Sequence, residues 1–173
     1  MKAKECVTIS FFLFFSLGPL IFLAQTPDYP SPFARRVLEE TSLVTNPEAA
    51  LNRPDGQVAT ISINGILDLE LIATNGPGDD IAIYASQLGA VEGIWPEMMS
   101  YGVLVKEDGG EWVAIGRGAG VKTPETFDLG EIRRINKVRI VFKYFENPEL
   151  GTKPWRLHGE EYAIGIDAVE ALH

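Results

Sequence analysis

From Val58 onward, apolar residues recur at every second position, in short runs that turn chemistry keeps interrupting. That period puts alternate side chains on opposite faces of an extended strand. An amphipathic helix would instead repeat its apolar positions at three and four. Val58 to Ile63, Ile66 to Ile72, Ile81 to Ala85, Gly102 to Lys106, Trp112 to Ile115, Phe127 to Leu129, Lys137 to Tyr144 and Ala163 to Leu172 all read as strands. The alternation is cleanest in Lys137 to Tyr144, with Val138, Ile140 and Phe142 on one face. Asn64-Gly65 predicts a tight hairpin between the first two runs, and the glutamate-to-glutamate turn over 107–111 predicts a second. No long helical pattern competes. Roughly eight or nine short strands, with turns about every ten residues, predict an all-β fold: an antiparallel jelly-roll β-sandwich.

Ahead of the strands stands a different kind of segment. Lys2 and Lys4 precede Phe11 to Ala24, an apolar run of signal-peptide length and short for a membrane span. Residues 1–25 are therefore read as a signal peptide, with retention as an N-terminal anchor as the alternative. Residues 26–32, carrying Pro27, Pro30 and Pro32, read as a linker, and residues 33–173 as the β-sandwich binding domain. Within Phe33 to Val44 the spacing fits either a helix or an edge strand, and Asn46 to Gly56 reads as a loop. The single cysteine, Cys6, leaves with the signal, so the mature chain uses neither disulfides nor thiol chemistry. Expected localisation is secreted, extracellular or periplasmic, or at the cell surface. Without Lys2, Lys4 and Glu5 the chain has 13 basic and 23 acidic residues, a net charge of −10. Such acidity disfavours nucleic acid and anionic membranes, whose phosphates are neutralised by Lys and Arg.

The sequence offers few catalytic constellations. Gly116-Arg117-Gly118-Ala119-Gly120 has the glycines of a phosphate loop but no helix behind it to receive the phosphates, and it reads as a flexible connection. His158 and His173 are the histidines; no nucleophile-elbow motif and no metal-ligand spacing accompany them. Asp79-Asp80 and Glu160-Glu161 are paired acids, but neighbours on a strand point opposite ways, so a glycosidase would need one from each pair. Calcium suits such acids better, because a hard cation takes carboxylates together with loop carbonyls. Asn52 to Gly56 and Asn75 to Asp80 are turns of that kind. By alternation Glu170 shares a face with Ile164, Ile166 and Leu172, a core face where a carboxylate needs a metal, an arginine or backbone amides. The alternative is an edge position that reaches water. Aromatic rings in loops offer stacking surfaces to sugars; Trp95, Tyr101, Trp155 and Tyr162 are the candidates, and Trp112 is assigned to the core. His158, a loop histidine near Trp155, joins Trp95, Tyr101 and Trp155 as a ligand-binding candidate.

Several of these stretches together carry a resemblance. Phe33-Ala34-Arg35-Arg36-Val37, Asn46-Pro47, Ala50 to Gly56, Gly76 to Ile81, Glu111 to Ala114 and Gly165 to Leu172 occur in order over the whole mature domain. They resemble bacterial cell-surface domains of the galactose-binding-like, discoidin-like superfamily. The resemblance implies a jelly-roll sandwich and a non-catalytic module that binds carbohydrate or a cell-surface glycan. It also makes Arg35 to Glu39 a strand. It implies a structural calcium between an early loop and the last strand, here at Asn52, Asp55 and Glu170. Two positions depart from the family pattern: Gly165 where an acid is usual, and Tyr84-Ala85 where Phe-Glu is usual. An adhesive surface protein contacting protein partners is the alternative function, and a glycan hydrolase the third.

Overall fold

In the computed structural model, which describes residues 31–88, 99–144 and 163–173, the chain runs straight through Asn64-Gly65, where the sequence predicts a hairpin. A two-residue type I′ reversal needs positive φ at both central residues. Only Asn64 of the pair takes it, at 64°, so the strand kinks and continues. Gly65 serves another purpose. A Cβ there would stand 2.7 Å from Ile61 Cγ2 and 2.8 Å from the carbonyl oxygen of Leu43, which itself has φ 54°. The dipeptide thus lets a neighbouring strand lean across the kink.

The nine strands are β1 Arg36–Val37, β2 Ser42–Thr45, β3 Ala59–Thr74, β4 Ile81–Leu88, β5 Met99–Lys106, β6 Val113–Gly118, β7 Glu125–Phe127, β8 Arg134–Tyr144 and β9 Ala163–Ala171. A 3-10 turn at Pro47–Ala50 interrupts the expected loop. All pairings are antiparallel, in the order β6-β5-β8-β3-β9-β4-β7, with β1 and β2 also on β3. The fold is therefore all-β, as the alternation predicts. β3 is shared: Ala59 to Ser62 pair with β9, and Ile66 to Thr74 pair with β8. The expected strand at Arg35 to Glu39 shrinks to β1, set against Leu69 and Glu70. The β5–β6 hairpin forms as predicted, with Gly109 at φ 71° in its turn. Inside lie Ile61, Leu67, Leu69 and Leu71 of β3, Ile81 and Ile83 of β4, Val103 of β5, Ile140 and Phe142 of β8, and Ile164, Ile166 and Val169 of β9.

The two end strands face each other, so the curled sheet nearly closes into a barrel. Glu125 on β7 bridges the gap. Its carboxylate accepts the amide N–H groups of Ala119 and Gly120, just beyond β6, and the phenol of Tyr101 on β5. Gly116 and Gly118 of β6 leave room for Phe127 and for the Tyr101–Glu125 pair. The glycine-rich stretch read as a flexible connection is the seam of the barrel. A second clamp lies in the Asn75 to Asp80 turn. Asp80 is fully buried and accepts N–H groups from Gly76 at 2.6 Å and Leu129 at 2.9 Å.

Two stability outcomes follow from this packing. Gly65→Ala should cost about 1–3 kcal/mol in urea unfolding, since neither the Leu43 backbone nor Ile61 can withdraw freely. Gly102→Ala, whose new Cβ would meet nothing nearer than 3.9 Å, should stay within about 1 kcal/mol. The second outcome concerns alkali. Burial, and then the hydrogen bond to Glu125, push the Tyr101 phenol above the ordinary tyrosine range. The unfolded chain, ionising near pH 10, therefore releases this proton first, and stability that is complete below about pH 10 falls as pH rises further. Unfolding midpoints between about pH 8 and pH 11 should decline more steeply in the wild type than in Tyr101→Phe.

Candidate functional site

Side chains directly opposite each other on antiparallel strands share a face. The register therefore defines what the outside of β3, β8, β5 and β6 presents. One transverse row reads Ile66, Val141, Gly102 and Arg117; the next reads Asp68, Arg139, Leu104 and Ala114; the third reads Glu70, Lys137 and Lys106. The middle row is anchored by a charge. Asp68 is fully buried, and Arg139 grips it in a fork, with Nε on Oδ1 at 2.7 Å and an Nη on Oδ2 at 2.5 Å. The β1–β2 connection covers this pair: the Leu38 N–H donates to the Asp68 carbonyl, and the Thr41 hydroxyl both donates to that carbonyl and accepts the Asp68 N–H. The hydrogen bond to Asp68 outweighs the opposing effect of burial and raises the Arg139 pKa.

Trp112 lies on top of this pair. The Arg139 guanidinium carbon is 4.2 Å from the indole centroid, and Lys106 Nζ is 5.7 Å from it. The assignment of Trp112 to the core is thus corrected. It precedes β6, is only half-buried, and is held by cations on the outer face. Cation–π contacts of this kind fix the orientation of a ring. On one side of it opens a groove of about 440 Å³ floored by Ile66, Gly102, Leu104, Ala114, Gly116 and Val141, with Arg117 and Arg139 among its lining. On the other, past the Glu70–Lys137 row, is a cavity of about 590 Å³ with a charged lining. The face is an elongated strip: an apolar half, an aromatic ring, a polar half.

The residues singled out in the sequence are distributed otherwise. Tyr101 is not a loop aromatic: it is wholly buried in β5 and spends its hydroxyl on Glu125, so no ligand can stack on it. Trp95, Trp155, Tyr162 and His158 lie outside the described residues. Asn52 and Asp55 are exposed. Asp55 accepts the Gln57 N–H at 2.8 Å and its side-chain amide at 3.1 Å. Glu170 is not on the core face. A bulge in β9, between the residues facing Tyr84 and Ala85, shifts the alternation by one, so Val169 and Ala171 turn inward and Glu170 outward to the Tyr84 hydroxyl at 2.9 Å. Burial and that hydrogen bond raise the Tyr84 pKa, the hydrogen bond most. The early loop and the last strand do meet, through Asp167, whose carboxylate accepts the N–H groups of Asp55 at 3.0 Å and Gly56 at 3.1 Å. Among the described residues no three His, Cys, Asp or Glu side chains are grouped to hold a metal ion. Asp79 accepts the Thr126 hydroxyl and Asp80 holds its turn, so both acids of that pair serve the fold. Glu160 and Glu161 lie outside the described residues.

Comparison with protein-family models, curated proteins and solved structures finds no match. The site therefore stands on its own chemistry. Arg139 and Lys137 were readable in advance: in Lys137 to Tyr144 the apolar set defines the inner face, and the complementary set, Lys137, Arg139 and Val141, defines the outer one.

The ion pair beneath the ring gives a direct test. Arg139→Met leaves a fully buried carboxylate without its counter-charge and should cost about 3–5 kcal/mol in urea unfolding. Asp68→Leu combined with Arg139→Met should recover most of that loss, since the buried charge is then gone as well.

Proposed function

We propose that this chain is a secreted or cell-surface, non-catalytic binding module of the jelly-roll, galactose-binding-like kind, whose ligand is a carbohydrate lying along the outer face of β3, β8, β5 and β6. The supporting observation is Trp112, a half-buried indole fixed over Arg139 beside an open groove. A pyranose presents a C–H face to an aromatic ring and hydroxyls around its rim. An indole with the Arg139 guanidinium and the Lys106 ammonium against it answers both needs, and those contacts favour one ring orientation before the ligand arrives. An elongated strip also matches a chain of sugar units better than a single one. The sequence resemblance points to the same class of ligand, and it adds a structural calcium at Asn52, Asp55 and Glu170 to the proposal.

An adhesive role is the second reading, favoured by the apolar groove floor of Ile66, Leu104 and Val141. The two differ in which half of the face they need. Trp112→Ala should weaken glycan binding by roughly tenfold or more in calorimetric titration while costing at most about 1 kcal/mol of stability. Unchanged glycan affinity in that variant, with loss of binding on Leu104→Asp, would place the function in protein contacts instead.

A further inference from the structure

The charged cavity beyond Trp112 has an unusual balance of groups. Its lining includes Arg36, Arg133, Arg134 and Lys137 on the basic side and Glu70, Glu107 and Asp108 on the acidic side, an excess of one positive charge on a chain of net charge −9. Only Arg36 and Glu70 of these are joined, at 2.6 Å. The side chains of Arg133, Arg134 and Lys137 make no hydrogen bond or ion pair among the described residues. The volume, about 590 Å³, is that of a small-ligand site.

We propose that this cavity receives the acidic unit of a glycan, a sugar bearing a carboxylate or a sulfate. Arg133, Arg134 and Lys137 take the anionic group, while the carboxylates of Glu107 and Asp108 accept its hydroxyls. Other ligand classes leave part of the lining unanswered. A neutral sugar leaves three cations unpaired. A bare anion has no donors for the carboxylates of Glu107 and Asp108, and a cation meets a positive excess. An acidic sugar supplies both the anion and the donors, and charge-assisted hydrogen bonds to guanidinium are the strongest available to it. The inference rests on the reading of the outer face as a glycan surface and adds the charge of the glycan to it.

The test uses the full chain and a panel of uronate-containing oligosaccharides, each paired with its methyl ester, together with sulfated oligosaccharides of similar length. Affinities are measured by calorimetry at low and high sodium chloride. The expected result is roughly tenfold tighter binding of an acid than of its ester, weakened by salt. Arg133→Gln with Arg134→Gln should erase that preference while leaving ester binding in place; both positions are exposed, so folding should be unaffected. The Arg→Lys pair should retain much of it, and Lys137→Gln offers an independent check. Whether uronate or sulfate is preferred identifies the anionic group. Equal binding of acid and ester, or an acid preference that survives the Arg133, Arg134 and Lys137 substitutions, overturns the cavity and leaves Trp112 as a neutral-sugar site. Failure of every acid, ester and sulfate to bind overturns both readings.

Discussion

Everything in this fold depends on β3 remaining one strand. Its sixteen residues carry the pairings of β9 at one end and β8 at the other, with β1 and β2 alongside, so a reversal at Asn64-Gly65 would separate the two halves of the sheet. Continuity is maintained by a local compromise. Asn64 and, across from it on β2, Leu43 both adopt left-handed backbone, and Gly65 removes the one atom that would keep them apart. Left-handed conformation is unfavourable for a leucine. The shared core on either side of the kink is what sustains it.

Carboxylates do much of the internal fastening. Asp80 gathers two amides of neighbouring turns, Asp167 gathers two from the early loop, Glu125 joins both ends of the sheet, and Asp68 is matched by Arg139. Three of the four act on backbone N–H groups that would otherwise need another acceptor. Part of the chain's acidity is thus structural and unavailable to any ligand. What faces outward on β8 and beside it is basic: Lys137 and Arg139, then Arg133 and Arg134 at the strand's start.

The fold class was legible because a two-residue period in β-branched residues has one reading, and β8 shows how much it tells: Val138, Ile140 and Phe142 are core as the alternation requires. Where local signals failed, a tertiary contact had overridden them. Asn64-Gly65 has the chemistry of a turn, but its glycine answers to Leu43, a residue on another strand. Glu170 was put on the wrong face because one bulged residue in β9 reverses the parity, and a bulge leaves no mark in hydrophobic alternation. Trp112 and Tyr101 exchanged places for a related reason. Tryptophan at a strand end and tyrosine at a strand start are sorted by register, and register belongs to the pairing of strands. The cavity at the start of β8 was invisible in sequence, since its lining comes from β1, β3, the β5–β6 turn and β8.

The seam at Glu125 also bears on how this molecule behaves in company. A sheet that ends in open strands exposes rows of unsatisfied N–H and C=O groups, on which a second molecule can add a strand of its own and begin to aggregate. Here the two terminal strands are short and turned toward one another, with Glu125 and Phe127 filling the space between them. An incoming strand would first have to expel a carboxylate bound by three donors and a ring packed against β6. The closure of the sheet thus removes one pair of edges at which self-association could begin.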